Sequence, residues 1–159
     1  MEGKRAQESS VVLGQLMTHL EANPAGNVHG GIIMKLIDEA GGVVACRHAR
    51  TNVTTASIDK LDFHSAVHIG NLLFFKARLN LVGKSSMEIG VRVEAENLLT
   101  GEVSHTASAY LTYVAIDAEG RPQNVPPLIL ETEEDTRRNR EAKIRREMRL
   151  IQKKSDEKR

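Results

Sequence analysis

Two segments of the sequence carry residue types that could act on a carbonyl group, and the first is the loop NPAGNVHGG from Asn23 to Gly31. Turn-forming residues dominate this loop, and a helix is predicted to begin directly after it. The first backbone amides of a helix have no intrahelical acceptor, and the helix dipole is positive there. The amides of Gly30 and Gly31, beside Asn27 and His29, could therefore hold a carbonyl oxygen as negative charge develops on it. The alternative is that Asn27 only caps the helix and that the glycines serve a tight turn.

The second segment is the helix itself, in which Asp38 lies at the edge of the polar face. A carboxylate at such a position is either solvated or covered by a neighbouring subunit. In the second case, partial desolvation would leave it able to take a proton from water. Gly41 and Gly42 follow one turn later and would permit the close approach that such an interface needs. Asp38 is therefore a candidate general base.

A third candidate group is Lys84, Ser85 and Ser86, which open a predicted strand. The ammonium and hydroxyl groups could bind a phosphate, although such residues also commonly fill hairpin turns. The six histidines lack the spacing of a zinc site. The sequence also contains no nucleophile elbow, phosphate loop or dinucleotide-binding fingerprint. We therefore expect neither a metal site nor a covalent serine mechanism.

Hydrophobic periodicity predicts the elements that must position these residues. A helix is expected from Ile32 to about Arg47, because apolar residues recur there at helical spacing, at Ile33, Leu36, Ile37, Ala40 and Val44. The period then changes to two, and strands are predicted within 53–63, 73–81, 86–95 and 103–116, after a first strand within 11–20. The predicted fold class is α+β. A single helix covers only one face of such a sheet, so oligomerisation is expected to cover what remains.

Length and composition limit the classes of function. A chain of 159 residues with 40% apolar residues is long enough for one domain. The net charge of +1 creates no overall field that would recruit nucleic acid or an anionic membrane. Neither a signal peptide nor a membrane-spanning stretch is recognisable. A single cysteine, Cys46, suits a reducing compartment as a small buried side chain. We therefore expect a cytoplasmic protein.

Local composition divides the chain into four parts. Residues 1–8 are predicted to be a flexible N-terminus and residues 9–120 the globular domain. Three of the four prolines lie between 121 and 127, which indicates a connector over 121–131. Residues 133–159 hold 11 basic and 7 acidic residues. This tail, taken as 132–159, is predicted to be a charged helix that is either solvated or binds a partner.

Three segments together resemble the hotdog acyl-CoA thioesterases of the brain acyl-CoA hydrolase and YciA type. They are NPAGNVHGGIIMKLIDEAGGVVACRHARTNVTTASIDKLDFH, GKSSMEIGVRV and ASAYLTYVAIDAEG, and they occur in the family's order. The resemblance covers roughly residues 9–150. It implies a hotdog fold, in which an antiparallel sheet wraps around one long central helix. It also implies assembly as a trimer of dimers, with coenzyme A bound near the subunit boundaries and no other cofactor.

The resemblance further implies that an asparagine before the helix and an acid within it cooperate across a dimer interface, here Asn27 and Asp38. Gly30 and Gly31 would polarise the thioester, His29 would line the site, and Lys84, Ser85 and Ser86 would contact coenzyme A. Asp38 would either activate water or attack the thioester directly. Two alternatives are a hotdog dehydratase, with His29 as base and Asp38 or Glu39 as acid, and a non-catalytic acyl-CoA sensor.

Overall fold

The computed structural model describes all 159 residues as one five-stranded antiparallel sheet, a small two-stranded parallel pair and two long helices. The bounds of the elements agree closely with the periodicity of the sequence, except that the first strand ends at Leu16. In chain order the elements are β1 (Lys4–Arg5), β2 (Val11–Leu16), α1 (Gly30–Ala49), β3 (Asn52–Phe63), β4 (Asn71–Val82), β5 (Ser86–Asn97), β6 (Val103–Ile116), β7 (Leu128–Ile129) and α2 (Glu133–Glu157).

The large sheet has the strand order β2-β4-β5-β6-β3, and every neighbouring pair is antiparallel. Alternation along β5 confirms the predicted buried face, because every second residue from Met87 to Ala95 is buried. Helix α1 packs on this face and contacts all five strands of the sheet. A sheet that serves one long central helix is the hotdog architecture implied by the resemblance.

The buried stripe of α1 confirms the predicted face at Ile33, Ile37, Ala40 and Val44, while Leu36 is half-buried at its edge. The stripe continues to His48, which is fully buried. The helix ends at Arg50, whose left-handed φ of 55° stops the helical hydrogen bonding. Cys46 does not follow the expectation of a buried thiol. It lies on the side of α1 away from the sheet and is exposed.

The two ends of the domain are fastened to each other. Residues 1–8, predicted as a flexible N-terminus, pair with the connector through β1 and β7. Lys4 donates its Nζ to the carbonyl oxygen of His48 at 2.8 Å, and Ala6 is buried. In the connector over 121–131, Val125 and Pro126 are buried.

No helix has the length and apolar character needed to cross a membrane.

Helix α2 covers part of the outer face of the sheet. Its predicted solvation holds for the C-terminal half, but Asp135, Asn139 and Ala142 in the N-terminal half are buried. The contact is mainly polar: Arg145 donates to Glu88 at 2.7 Å, and its guanidinium lies 3.6 Å from the ring centroid of Tyr110. Periodicity did not reveal this packing because the helix docks through charged and amide side chains.

Strand β3 is one of the two edge strands of the large sheet, opposite β2. None of its 12 residues is fully buried, and the pairing with β6 shifts register twice, after Thr55 and after Asp59. A long edge strand presents backbone donors and acceptors that another strand can use. The single chain therefore leaves the β3 edge of the sheet available for pairing.

Candidate active site

Asp38 is held by two hydroxyl groups from neighbouring strands. Thr55 on β3 donates its Oγ1 to Asp38 Oδ1 at 2.9 Å, and the Tyr113 hydroxyl on β6 lies 2.9 Å from the same oxygen. Thr55 and Tyr113 are direct partners in the sheet register, so adjacent strands present both groups to one turn of α1. Asp38 itself is half-buried. The result is a carboxylate that is fixed through one oxygen.

Tyr113 reaches Asp38 because α1 has glycine where the ring passes. A Cβ added to Gly41 would overlap the Tyr113 hydroxyl and come within 3.0 Å of Cε2. The Tyr113 side chain is only 1% exposed. Burial, and then the hydrogen bond to the Asp38 carboxylate, raise the pKa of the Tyr113 hydroxyl well above its ordinary value. This tyrosine therefore stays protonated and remains a donor at any working pH.

The loop before α1 is shaped by Asn23. Its Oδ1 accepts hydrogen bonds from the amides of Ala25 at 3.0 Å and Asn27 at 3.1 Å, and its own amide donates to the Asn27 carbonyl at 2.7 Å. Gly26 takes the positive φ of 85° that this turn requires. The side chain of Asn27 makes no hydrogen bond within the chain, and its backbone bridges to His68.

The cap of α1 corrects one expectation. His29, and not Asn27, occupies the N-cap, and its Nδ1 accepts the Gly31 amide at 3.0 Å. The Gly31 amide is therefore already used within the chain. Gly30 is the first helical residue, so its N–H has no intrahelical acceptor. Of the two amides predicted to polarise a carbonyl group, Gly30 is the one that this arrangement leaves without an intrahelical partner.

An open cleft of about 370 Å³ lies beside this loop. Asn23, Asn27 and Gly30 line one side, and Phe63 and His64, at the end of β3, line the other. The exposed ring of Phe63 gives the cleft an apolar wall next to amide groups. This combination suits a carbonyl compound with an apolar substituent.

Within one chain, the cleft and Asp38 lie at opposite ends of the sheet. Phe63 pairs with Ala107 on β6, whereas the Asp38 partner Tyr113 lies six residues further along that strand. Six residues of an extended strand span about 20 Å. The structure therefore does not bring Asn27 together with Asp38 in a single subunit.

Lys84 and Ser85 lie in the turn between β4 and β5, and Ser86 is the first residue of β5. Their carbonyl oxygens hold the turn together by accepting from Val125, Ala115 and Gly83, respectively, at 3.0, 2.9 and 2.8 Å. Ser86 pairs with Val114, next to Tyr113, so this turn lies at the same end of the sheet as Asp38. The Lys84 side chain is exposed. The backbone of these residues holds the turn, and the turn lies at the same end of the sheet as the candidate base.

No group of three or more His, Cys, Asp or Glu residues is placed to hold a metal ion. His64 and His105 contact each other with their ring centroids 4.6 Å apart, beside the cleft. Burial, and then the nearby Arg92 and His64, lower the pKa of His105. His105 therefore favours its neutral form beside His64.

Sequence reasoning missed the two partners of Asp38 and the role of Asn23 in the loop. Thr55 and Tyr113 are 58 residues apart in sequence and meet only through the register of β3 and β6. One available signal was the alternation along β6, which places Tyr113 on the buried face of the strand. The second was the pair of consecutive glycines on the facing helix, which leaves room for a large ring. The signal for Asn23 was its position four residues before Asn27, which permits a side chain to close the turn.

Comparison with known proteins adds three findings. The family model described as the thioesterase superfamily matches residues 25–102. A solved hexameric acyl-CoA thioesterase is 36% identical, with a TM-score of 0.91, and the match covers 96% of this chain and 97% of that one. The acyl-CoA hydrolase from Staphylococcus aureus, solved with butyryl coenzyme A and coenzyme A, is 30% identical with a TM-score of 0.89, over 98% of this chain and 94% of that one.

The cytosolic acyl coenzyme A thioester hydrolase of Mus musculus is 42% identical over 122 residues, or 76% of this chain. The chain spans about a third of that relative, since the match covers 32% of its length. The matches in sequence and the matches in structure therefore indicate the same family. This chain belongs to the acyl-CoA thioester hydrolases of the thioesterase superfamily.

Proposed function

We propose that this protein hydrolyses acyl-CoA thioesters to a carboxylic acid and coenzyme A. The observation that carries the proposal is the fixed carboxylate of Asp38, whose Oδ1 accepts from Thr55 and Tyr113. Its second oxygen makes no hydrogen bond within the chain and remains available to a water molecule. A carboxylate oriented in this way can take a proton from water as the water attacks a carbonyl carbon.

The asparagine that works with Asp38 is assigned from spacing. Structures of the S. aureus enzyme include variants in which an asparagine, an aspartate or a threonine is replaced by alanine. In that enzyme the asparagine precedes the aspartate by fifteen residues, and the threonine follows it by seventeen. The same intervals in this chain join Asn23, Asp38 and Thr55. This spacing favours Asn23, while Asn27 stays the alternative, and both line the cleft.

The proposed site is completed by a second copy of the chain. Antiparallel pairing of two β3 strands about a twofold axis would set the Phe63 end of one strand beside the Thr55 end of the other. The loop of one subunit would then approach Asp38 of the partner subunit, whereas within one chain the first two turns of α1, a rise of about 12 Å, separate Gly30 from Asp38. A trimer of such dimers is the assembly we propose, by likeness to the hexameric relative.

In the proposed reaction the Gly30 amide and the asparagine polarise the thioester carbonyl, and water adds to its carbon while Asp38 accepts the proton. The tetrahedral intermediate then collapses and expels the thiolate of coenzyme A. Because an ordinary thiol has a pKa of about 8.5, the thiolate leaves without strong acid catalysis. Direct attack by Asp38, which would give an anhydride that water resolves, is the alternative route.

Lys84, Ser85 and Ser86 are proposed to contact the phosphates or the pantetheine arm of coenzyme A. The basis is their place at the Asp38 end of the sheet and the exposure of the Lys84 ammonium group. Replacement of Lys84 by alanine is expected to raise KM for the CoA ester with little change in kcat. An unchanged KM would contradict this contact.

The arrangement disfavours the dehydratase alternative. Because His29 Nδ1 accepts the Gly31 amide, the neutral ring carries its proton on Nε2. His29 could act as a base only by releasing the helix cap. We also propose that the reaction needs no cofactor, so treatment with a chelator should leave kcat unchanged. A cytoplasmic location is proposed by likeness to the cytosolic mouse relative.

A mixing experiment tests the reaction and the shared site together. Asn23→Ala and Asp38→Asn are each expected to lower kcat by about a hundredfold or more while assembly persists. In a mixed dimer of the two variants, one site lacks both residues and the other retains both. Random pairing should therefore restore about a quarter of the wild-type activity.

The same experiment decides between the two asparagines. Asn27→Ala serves as the matched variant in the same loop, and it is expected to retain more activity than Asn23→Ala. Recovery on mixing Asp38→Asn with Asn27→Ala, but not with Asn23→Ala, would reassign the role to Asn27. No recovery in either mixture would contradict a site shared between subunits, and near-normal turnover by Asp38→Asn would contradict the proposed base.

A further inference from the structure

The Tyr113 hydroxyl has one proton and two acceptors on Asp38. It lies 2.9 Å from the Oδ1 carboxylate oxygen and 2.9 Å from the main-chain carbonyl oxygen of the same residue. A hydroxyl can donate to only one of them at a time. A charged carboxylate is the stronger acceptor, so the hydroxyl donates to Oδ1 while Asp38 is ionised.

We propose that Tyr113 is a positioning residue that holds Asp38 in place through both of its protonation states. When Asp38 is ionised, the hydroxyl donates to Oδ1 and leaves Oδ2 directed at water. When Asp38 has taken the proton from water, the hydroxyl rotates and donates to the Asp38 main-chain carbonyl. The carboxyl group keeps its position while its charge changes. The inference rests on the proposed role of Asp38 as the base.

The surroundings of Tyr113 allow this rotation of a proton and little else. The ring is buried on β6, opposite Met87 on the neighbouring strand, and faces Gly41 on α1. Thr55 adds a second donor to Oδ1 but lies on the exposed edge strand. Tyr113 is therefore the one donor to Asp38 that is fixed within the core of the subunit itself.

The matched test compares the only two tyrosines of the chain. Tyr113→Phe removes the hydroxyl beside Asp38, whereas Tyr110→Phe removes one on the opposite face of β6, under Arg145. We expect Tyr113→Phe to lower kcat about tenfold, as for loss of a hydrogen bond to a charged group, with KM changed less than about twofold. The acid limb of the pH profile of kcat/KM should move to higher pH by about one unit. Tyr110→Phe should show neither change.

A spectroscopic experiment tests the inference even if the Tyr113→Phe variant does not fold. Fluorotyrosine incorporated into the Tyr110→Phe protein labels Tyr113 alone. Its fluorine resonance is expected to shift with pH at the midpoint of the acid limb, because the hydroxyl changes acceptor as Asp38 is protonated. The same shift should be absent when Asp38→Asn is added.

The outcomes separate the inference from the proposed function. A pH profile and kcat of Tyr113→Phe that match those of Tyr110→Phe, or a fluorine resonance that does not titrate, would overturn the inference while Asp38→Asn remained inactive. Full activity of Asp38→Asn would instead refute the proposed base. A lower kcat in Tyr113→Phe without movement of the acid limb would reduce Tyr113 to a packing residue.

Discussion

Replacement of Gly41 by alanine is the sharpest perturbation of the contact between α1 and β6. Gly41 is buried on α1, and a Cβ there would overlap the Tyr113 hydroxyl and lie 3.0 and 3.1 Å from Cε2 and Cζ. Neither group can move away freely, because the ring is buried and the helix backbone is fixed by its hydrogen bonds. The added methyl group should push the hydroxyl away from Asp38.

Gly42 provides a control that cancels the intrinsic helix preference. A Cβ at Gly42 would make only an ordinary contact, 3.9 Å from Tyr113 Cε1. Both variants gain about 1 kcal/mol from replacing glycine in a helix interior. Only Gly41→Ala also incurs overpacking, which costs about 1–3 kcal/mol. The free energy of unfolding should therefore be about 1–3 kcal/mol lower for Gly41→Ala than for Gly42→Ala.

Urea unfolding followed by far-ultraviolet circular dichroism measures this difference, with size-exclusion chromatography to verify equal assembly. Thioester hydrolysis should fall in Gly41→Ala, because the hydroxyl loses its contact with Asp38. The reasoning is refuted if the two variants unfold at the same urea concentration and hydrolyse equally fast. That result would mean that the Tyr113 ring does not lie against Gly41.

Two further predictions concern stability away from the site. Arg145→Met leaves the Glu88 carboxylate, 2% exposed, without its ion-pair partner, and should lower the free energy of unfolding by about 3–5 kcal/mol. Arg121→Met, which removes two exposed ion pairs with Asp117 and Glu119, should cost at most about 1 kcal/mol, and equal losses would contradict the argument. Burial lowers the pKa of His48 despite its 2.7 Å hydrogen bond to Pro126. His48 is therefore protonated in the unfolded chain below about pH 6.5 but stays neutral in the folded chain. Because the unfolded state then binds more protons, the free energy of unfolding should fall as the pH is lowered from about 7 to 5. His48→Gln should flatten this slope in urea titrations, and an unchanged slope would exclude His48 as its cause.

The sequence determined the elements well because local patterns encode them. Alternation from Met87 to Ala95 is typical of a strand with one buried face, and the stripe from Ile33 to Val44 fits one face of a helix. Turn-forming residues marked the loop that lines the cleft. These features depend on neighbours in sequence, so periodicity is sufficient to find them.

The contacts of Asp38 required information that no local pattern holds. Its position on α1 was predicted, but its hydroxyl partners come from β3 and β6, whose register is fixed by the whole sheet. The alternative role of Asn27 as the helix cap was wrong, because Asn23 uses its side chain to turn the loop and His29 occupies the cap. The docking of α2 was missed because its buried residues are mostly polar.

Helix α2 is attached to the sheet by ion pairs, whereas α1 is attached by apolar packing. The core between α1 and the sheet depends on apolar burial, which excluded salts such as sulfate strengthen. Helix α2 is held at three strands by Arg78 with Asp135, Arg145 with Glu88, and Arg149 with Asp59. Dissolved ions screen the last of these pairs most, because both of its side chains are partly exposed. Concentrated sulfate should thus strengthen the packing between α1 and the sheet while it weakens the attachment of the C-terminal half of α2 to β3.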